Sequence, residues 1–273
     1  LRESAVSWRM KFNMARNWNR FEKSYSGKDV VDGDGTLLVV GRPLNGLYVW
    51  AHRGYYNSDA EVPRLYKIDG QEIYFNGVAT NGISGAVGDY RLLDLDGDGN
   101  PDSYYAGSPL PLAHGGWVNE LMWKNFDLNV LVNFTIGRKM INNRMGLGFS
   151  RQSEDGHLTK LFDYRKLRPW DGVNKKPNAP AWGNSLSMNT DSAIEKVHHL
   201  ALKQITLGYN LPDRISKKAG LSGVRFFLTA ENLFYLSNYS GGNPEVVNIY
   251  TGRDNGDTYP LPRKYTLGLT LNF

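Results

Sequence analysis

The chain has no cysteine among its 273 residues, which excludes a disulfide framework, a thiolate metal site and a cysteine nucleophile. That absence also suits a protein that crosses an oxidising compartment without forming wrong bridges. No apolar run approaches the ~18–20 residues that a spanning helix needs. A dense Lys/Arg block interleaved with aromatics is missing as well. The formal net charge is +5, from 32 Lys plus Arg and 27 Asp plus Glu spread along the chain, so no nucleic-acid partner is expected. The opening LRESAVSWRM lacks an initiator Met and the basic and apolar regions of a signal peptide. The expectation is a removed leader or a piece of a longer chain, and the strand count below favours the piece. Glycine (30) and aromatics (Trp 7, Tyr 16, Phe 11) are plentiful, a composition that argues against a helical protein.

The clearest pattern is alternation with period two, the mark of a strand whose two faces differ. Val6, Trp8, Met10, Phe12 and Met14 alternate with Ser7, Arg9, Lys11 and Asn13. Phe126 to Ile136 repeats the pattern, as do Val224 to Ala230 and Tyr265 to Phe273. With the weaker stretches 117–124 and 199–210, six strands are predicted, over about 5–17, 117–124, 126–139, 199–210, 224–236 and 264–273. Connections alternate between short (Lys124-Asn125 and Pro212 to Gly223) and long (about 18–116, 140–198 and 237–263). Long connections count against a compact soluble domain. They are expected of an outer-membrane barrel, with short periplasmic turns and long outward loops. Trp117, Trp123, Phe126, Phe234, Tyr235, Tyr265 and Phe273 are placed at strand ends as interfacial girdles. Alternation alone fits an antiparallel soluble sandwich equally well.

Chemistry-bearing motifs are few. Asp94, Asp96, Asp98, Asn100 and Asp102, with Gly99 between, follow the oxygen-ligand spacing of a calcium loop. Tyr105 stands where a bidentate Glu would complete it, and an Asp/Gly turn is the plainer reading. Histidines 52, 114, 157, 198 and 199 show no metal-ligand spacing, and no nucleophile elbow, phosphate loop or dinucleotide fingerprint is present in context. Trp170 and Trp182, in the 140–198 loop, and Tyr239 and Asn243, in the 237–263 loop, combine aromatic faces with amides. They are the candidate substrate contacts, in keeping with the surfaces that bind sugars.

The run KQITLGYNLP (203–212) resembles a signature of the SusC/RagA-type TonB-dependent transporters. So do Glu231-Asn232-Leu233, Gly242-Asn243-Pro244-Glu245, Asp257, Tyr259-Pro260, Pro262-Arg263 and the terminal Leu269 to Phe273. Upstream, DLDGDGNPD (94–102), Gly107-Ser108-Pro109, GGWVNELMWKNFDLNV (115–130) and VSWRMKFNMARNWNR are similar to that family in the same order. The resemblance runs along essentially the whole chain. It implies an all-β, antiparallel partial barrel made of the last six strands of a much larger one, with plug domain and TonB box absent. It further implies a Gram-negative outer membrane, a SusD-like lipoprotein cap, energy from TonB, and import of oligosaccharides or peptides without catalysis. The terminal TLGLTLNF resembles a barrel-assembly signal. The competing expectations are a secreted calcium-stabilised carbohydrate-binding module and, with little support, a carbohydrate-active enzyme.

Overall fold

The computed structural model describes residues 6–31, 37–62, 64–66, 72–74, 87–97, 102–143, 168–174, 176–181, 190–248, 250–256 and 259–273. Six long strands dominate: β1 (Val6–Ala15), β2 (Ala113–Trp123), β3 (Phe126–Asn142), β4 (Ile194–Asn210), β5 (Gly223–Ser237) and β6 (Lys264–Asn272). They pair antiparallel, each with its neighbour in sequence, from β1 at one edge to β6 at the other. The β2–β3 hairpin closes through Lys124, whose φ of 51° is the left-handed backbone region that two-residue turns use to match the right-handed twist of the strands. Pro212, unable to continue the ladder, ends β4 and caps a single helical turn at Asp213–Ser216. Three strands are longer than alternation predicts: β2 begins at Ala113 rather than 117, β3 ends at Asn142 rather than 139, and β4 begins at Ile194 rather than 199, while β1 and β6 stay within the expected bounds.

Register stacks the apolar residues into rows across the sheet. The lowest row is Val6, Trp123, Phe126, Tyr209, Phe226 and Leu269, next to the short turns. The fifth row up is Met14, Gly115, Phe134, Leu200 and Leu236. Rows two residues apart make this apolar face about 27 Å tall along the strands. Tilted as barrel strands are, it approaches the ~25 Å band of an outer-membrane barrel. Among the described residues no second layer covers it: Trp8 is 66% exposed, Phe12 62% and Leu267 81%. Trp123 stacks on Phe126, and Phe126 tilts onto Tyr209, an aromatic belt at the short-turn end. Trp117, expected at a strand end, lies inside the face between Phe12 and Val132, because β2 begins four residues earlier than its apolar pattern reveals.

The opposite face is polar, and its charges meet across strands. Lys11 and Arg9 reach Glu120, Arg225 reaches Asp127, and Lys264 reaches Glu231. Two irregularities then redirect the alternation. Lys203 is bulged from β4, and a register shift between Thr135 and Arg138 centres on Gly137, whose φ is +70°. The second shift turns Arg138, Met140 and Asn142 to the polar side and Lys139 and Ile141 to the apolar side.

Beyond that point β3 and β4 project as a hairpin clothed by the long loops, whose sequence shows no continuous pattern yet which contain short ladders. Leu47–Trp50 pairs with Ser103–Gly107, and His52–Tyr55 with Tyr90–Leu92. Leu47, Val49 and Ala106 pack on Ile141 and Ala193 to form one small core. Tyr239 and Val247 pack on Met140 and Val197 to form a second. Arg253–Asp254 pairs in parallel with Ile141–Asn142, covering the β3 edge that β2 leaves free.

Candidate functional site

The inner wall is organised around Gly208. Asp127 and Gly208 are register partners on β3 and β4, and Gly208 is in turn opposite Phe227 on β5. With no side chain at Gly208, Arg225 reaches over the middle strand to Asp127, donating from Nε at 3.1 Å and from Nη2 at 2.5 Å. A Cβ at Gly208 would stand 2.4 Å from the Asp127 carboxylate and 2.5 Å from the guanidinium. Asn210 donates to the same carboxylate at 3.0 Å, and the Arg225 guanidinium lies over the Phe227 ring. The pair thus ties together three strands at the short-turn end. This is a geometric reason for the glycine of the LGYN run, which spacing along the chain does not reveal.

At the opposite end two junctions hold the loop cap. In the first, His52 Nδ1 is in short contact with Asp191, Tyr104 donates to the other Asp191 oxygen at 3.1 Å, and Ser192 donates to the Tyr90 hydroxyl at 3.0 Å. Burial pushes the Tyr90 and Tyr104 hydroxyls above their ordinary range, the charge of Asp191 adding to the effect, so both stay protonated. In the second, the buried Arg138 donates to the carbonyls of Pro244, Val247 and Asn248, each at 3.4 Å. Lys203, displaced by its bulge, meets Glu245 at 3.2 Å. A cavity of about 310 Å³ opens beside this pair, with Asn232, Tyr235, Asn243 and Arg263 among its walls.

The sequence-predicted residues are distributed around this cap. Trp170 is half-buried; its indole N–H donates to Asn57 at 3.1 Å, and its ring covers Gly88 so closely that a Cβ there would meet it at 2.7 Å. Beside it, the Asn174 N–H and then the Val173 N–H hold the Asp171 carboxyl below the usual carboxylate range. Trp182 lies outside the described residues. Tyr239 is 8% exposed, in the second core, with its hydroxyl donating to Asp254 at 2.8 Å. Asn243 accepts from the Glu245 N–H at 2.9 Å, capping the turn Pro244–Val246 while it lines the cavity. Asp257 lies outside the described residues.

In the aspartate loop, carboxylate oxygens of Asp94, Asp96 and Asp102 lie within 4.8 Å of one another. Asp102 accepts from the Leu95 and Asp96 N–H groups at 2.6 and 3.2 Å, and Asp94 accepts from Gly97 at 2.6 Å. Three carboxylates gathered this closely are the oxygen donors that a hard cation takes. Asp98 and Asn100 lie outside the described residues.

An antiparallel wall, apolar on one face and charge-paired on the other, with tight turns at one end and folded loops at the other, defines the class: a segment of an outer-membrane β-barrel. No family model matches the chain. Its sequence is 25% identical to TonB-dependent receptor P3 of Formosa agariphila, over 98% of this chain and 27% of that protein. It is 27% identical to the TonB-dependent receptor SusC of Bacteroides thetaiotaomicron, over 98% of this chain and 24% of that protein. The structure of the RagAB peptide transporter superposes with a TM-score of 0.71 at 22% identity, covering 100% of this chain and 28% of the compared chain. The chain is therefore similar over its whole length to SusC/RagA-type TonB-dependent receptors, and it spans about a quarter of the length of the curated relatives it matches.

Proposed function

We propose that this chain forms wall strands and outer loops of a TonB-dependent importer of oligosaccharides or peptides, working with a SusD-like lipoprotein on its outer face. The observation that carries the reading is the two-faced wall, whose apolar rows are bare while its opposite face pairs Lys11, Arg225 and Lys264 with carboxylates. Such a wall separates lipid from a watery lumen, and the chain is read as a component of a transporter rather than as an enzyme. Substrate would meet Trp170 and Asn243 at the outer end, with Trp182 in the same loop system, while Tyr239, buried in the second core, would hold the loop that carries Asn243. The Asp94, Asp96 and Asp102 carboxylates would hold a calcium ion that stiffens the loop above the wall, Asp98 and Asn100 completing its ligands.

The test is uptake by cells carrying or lacking the full-length receptor. Deleting it should abolish growth on one oligosaccharide or peptide, restoring it should recover growth, and loss of TonB should reproduce the deletion. Affinity-tagged receptor should bring down a lipoprotein of the SusD type. Uptake that persists without TonB would overturn the proposal.

A further inference from the structure

On the polar face of the sheet, Arg9, Lys11, Lys203, Arg225 and Lys264 each sit beside a carboxylate, and Arg138 is held by backbone carbonyls. At the outer rim the pattern is inverted. Lys139 and Lys196 are direct register partners on β3 and β4, an arrangement in which like charges oppose each other at a cost. Arg16 continues the alternation of Trp8, Phe12 and Met14 one step past the end of β1, so it belongs to the same apolar side. The three cations line one cleft of about 520 Å³, with Trp18, Tyr105 and Leu112, and no Asp or Glu is among its described lining residues. Lys139 gives one hydrogen bond to the Ala106 carbonyl, which leaves two of its three donors. Trp18 is 80% exposed.

The location selects the ligand. Immediately below the cleft, on the same side of the sheet, lie Met14, Phe134, Ile136, Leu200 and Leu236, the top of the bare apolar face. A molecule whose anion enters the cleft therefore has hydrocarbon surface directly beneath it. A soluble anion would gain nothing from that surface, whereas an acyl lipid gains along its whole length.

We propose that Arg16, Lys139 and Lys196 form a headgroup site for an anionic, phosphate-bearing lipid of the outer leaflet, with its acyl chains lying on the apolar face below. This rests on the membrane reading given above. Opposed lysines are tolerated because the phosphate between them offsets their repulsion, and the exposed Trp18 ring lies at headgroup level, as amphipathic aromatics do.

Detergent-purified full-length receptor, titrated with phosphatidylglycerol, phosphatidylcholine or inorganic phosphate and followed by native mass spectrometry, tests it. Phosphatidylglycerol should bind, phosphatidylcholine should bind weakly, and inorganic phosphate should fail to displace the lipid. Each of Arg16→Gln, Lys139→Gln and Lys196→Gln should weaken phosphatidylglycerol about fivefold, since one basic residue near an anionic surface contributes ~1 kcal/mol. Lys11→Gln, on the opposite face, should leave it unchanged. Lys196 is exposed, so its variant keeps the test valid if Lys139→Gln does not fold. Undiminished lipid binding in Lys196→Gln would overturn the site, and so would competition by inorganic phosphate equal to that of the lipid, which would mark a soluble-anion cleft. A receptor that is monodisperse without detergent would instead overturn the membrane reading on which the site depends.

Discussion

Two glycines govern geometry that no pairwise motif announces. Gly208 has to remain bare because the Asp127–Arg225 pair crosses above it, and Gly137 has to take φ of +70° because the register shift there reverses which residues face the lumen. Gly208→Ala in the full-length receptor should lower stability by about 1.5–3 kcal/mol, the scale of hydrogen bonds to a charged group. A double-mutant cycle with Asp127→Asn, read from thermal or denaturant unfolding, identifies the cause. Asp127→Asn should be much less costly in the Gly208→Ala background than in the parent, and additive costs would show that the pair is not what the alanine disrupts. At Gly137 a Cβ would meet Leu112 at 2.6 Å in addition to the unfavourable φ. Gly137→Val should therefore loosen the Met140–Val197–Tyr239–Val247 core above it, seen as faster amide exchange across 138–142.

At the scale of the strand, adjacent residues live in different solvents. Val130 sits in the middle row of the apolar face, opposite Asn119 and Ile205, while Asn129 points to the other side, opposite Glu120 and Thr206. Val130→Arg should cost about 2–4 kcal/mol, as a charge at the midplane of a barrel's lipid face does. Asn129→Arg, next to the Glu120 carboxylate, should cost little. Equal costs in folding titrations into lipid vesicles would contradict the assignment of faces. The aspartate loop allows a second test at this scale. Its N–H to carboxylate bonds shape the turn without an ion, so chelation need not unfold it. Bound calcium should nevertheless slow proteolysis between residues 90 and 105, and Asp102→Asn should abolish that protection. Cleavage rates indifferent to a chelator would leave the loop as a hydrogen-bonded turn.

For the whole molecule, the sheet is an arc whose edge strands β1 and β6 each have one partner among the described residues. Its apolar face carries bare Trp, Phe, Leu and Met side chains along all six strands, far beyond the few hundred Å² a soluble monomer tolerates. In hydrocarbon, the unpaired edge groups each cost several kcal/mol. Residues 1–273 expressed alone should therefore aggregate or require detergent, and should become monodisperse only with further strands supplied. A cooperative thermal transition from a detergent-free monomer would show that the arc folds as a soluble sheet. The cap reinforces this view, because its two small cores are built on the β3–β4 hairpin and depend on the wall for support.

The strands, their faces and the polarity of the wall were legible in the residues alone, because a period-two pattern needs only local information and lipid demands it of every spanning strand. Val6 to Met14 and Phe126 to Ile136 declare themselves in this way, and the ordered LGYN and Gly242-Asn243-Pro244-Glu245 runs carried the resemblance to SusC/RagA-type receptors. Strand ends were less legible. Ala113 to Gly116 and Ile194 to His198 extend β2 and β4, but small residues and loop-covered positions break the pattern there. The candidate contacts Trp170, Tyr239 and Asn243 were found as residue types in loops, while their neighbours Asn57, Asp254 and Glu245 became known only from the folded chain. The same is true of Asp127 meeting Arg225 across 98 residues and of Lys139 facing Lys196. Alternation tells each strand which side is which. Only register, set jointly by turns, bulges and partner strands, decides which residues on that side become neighbours.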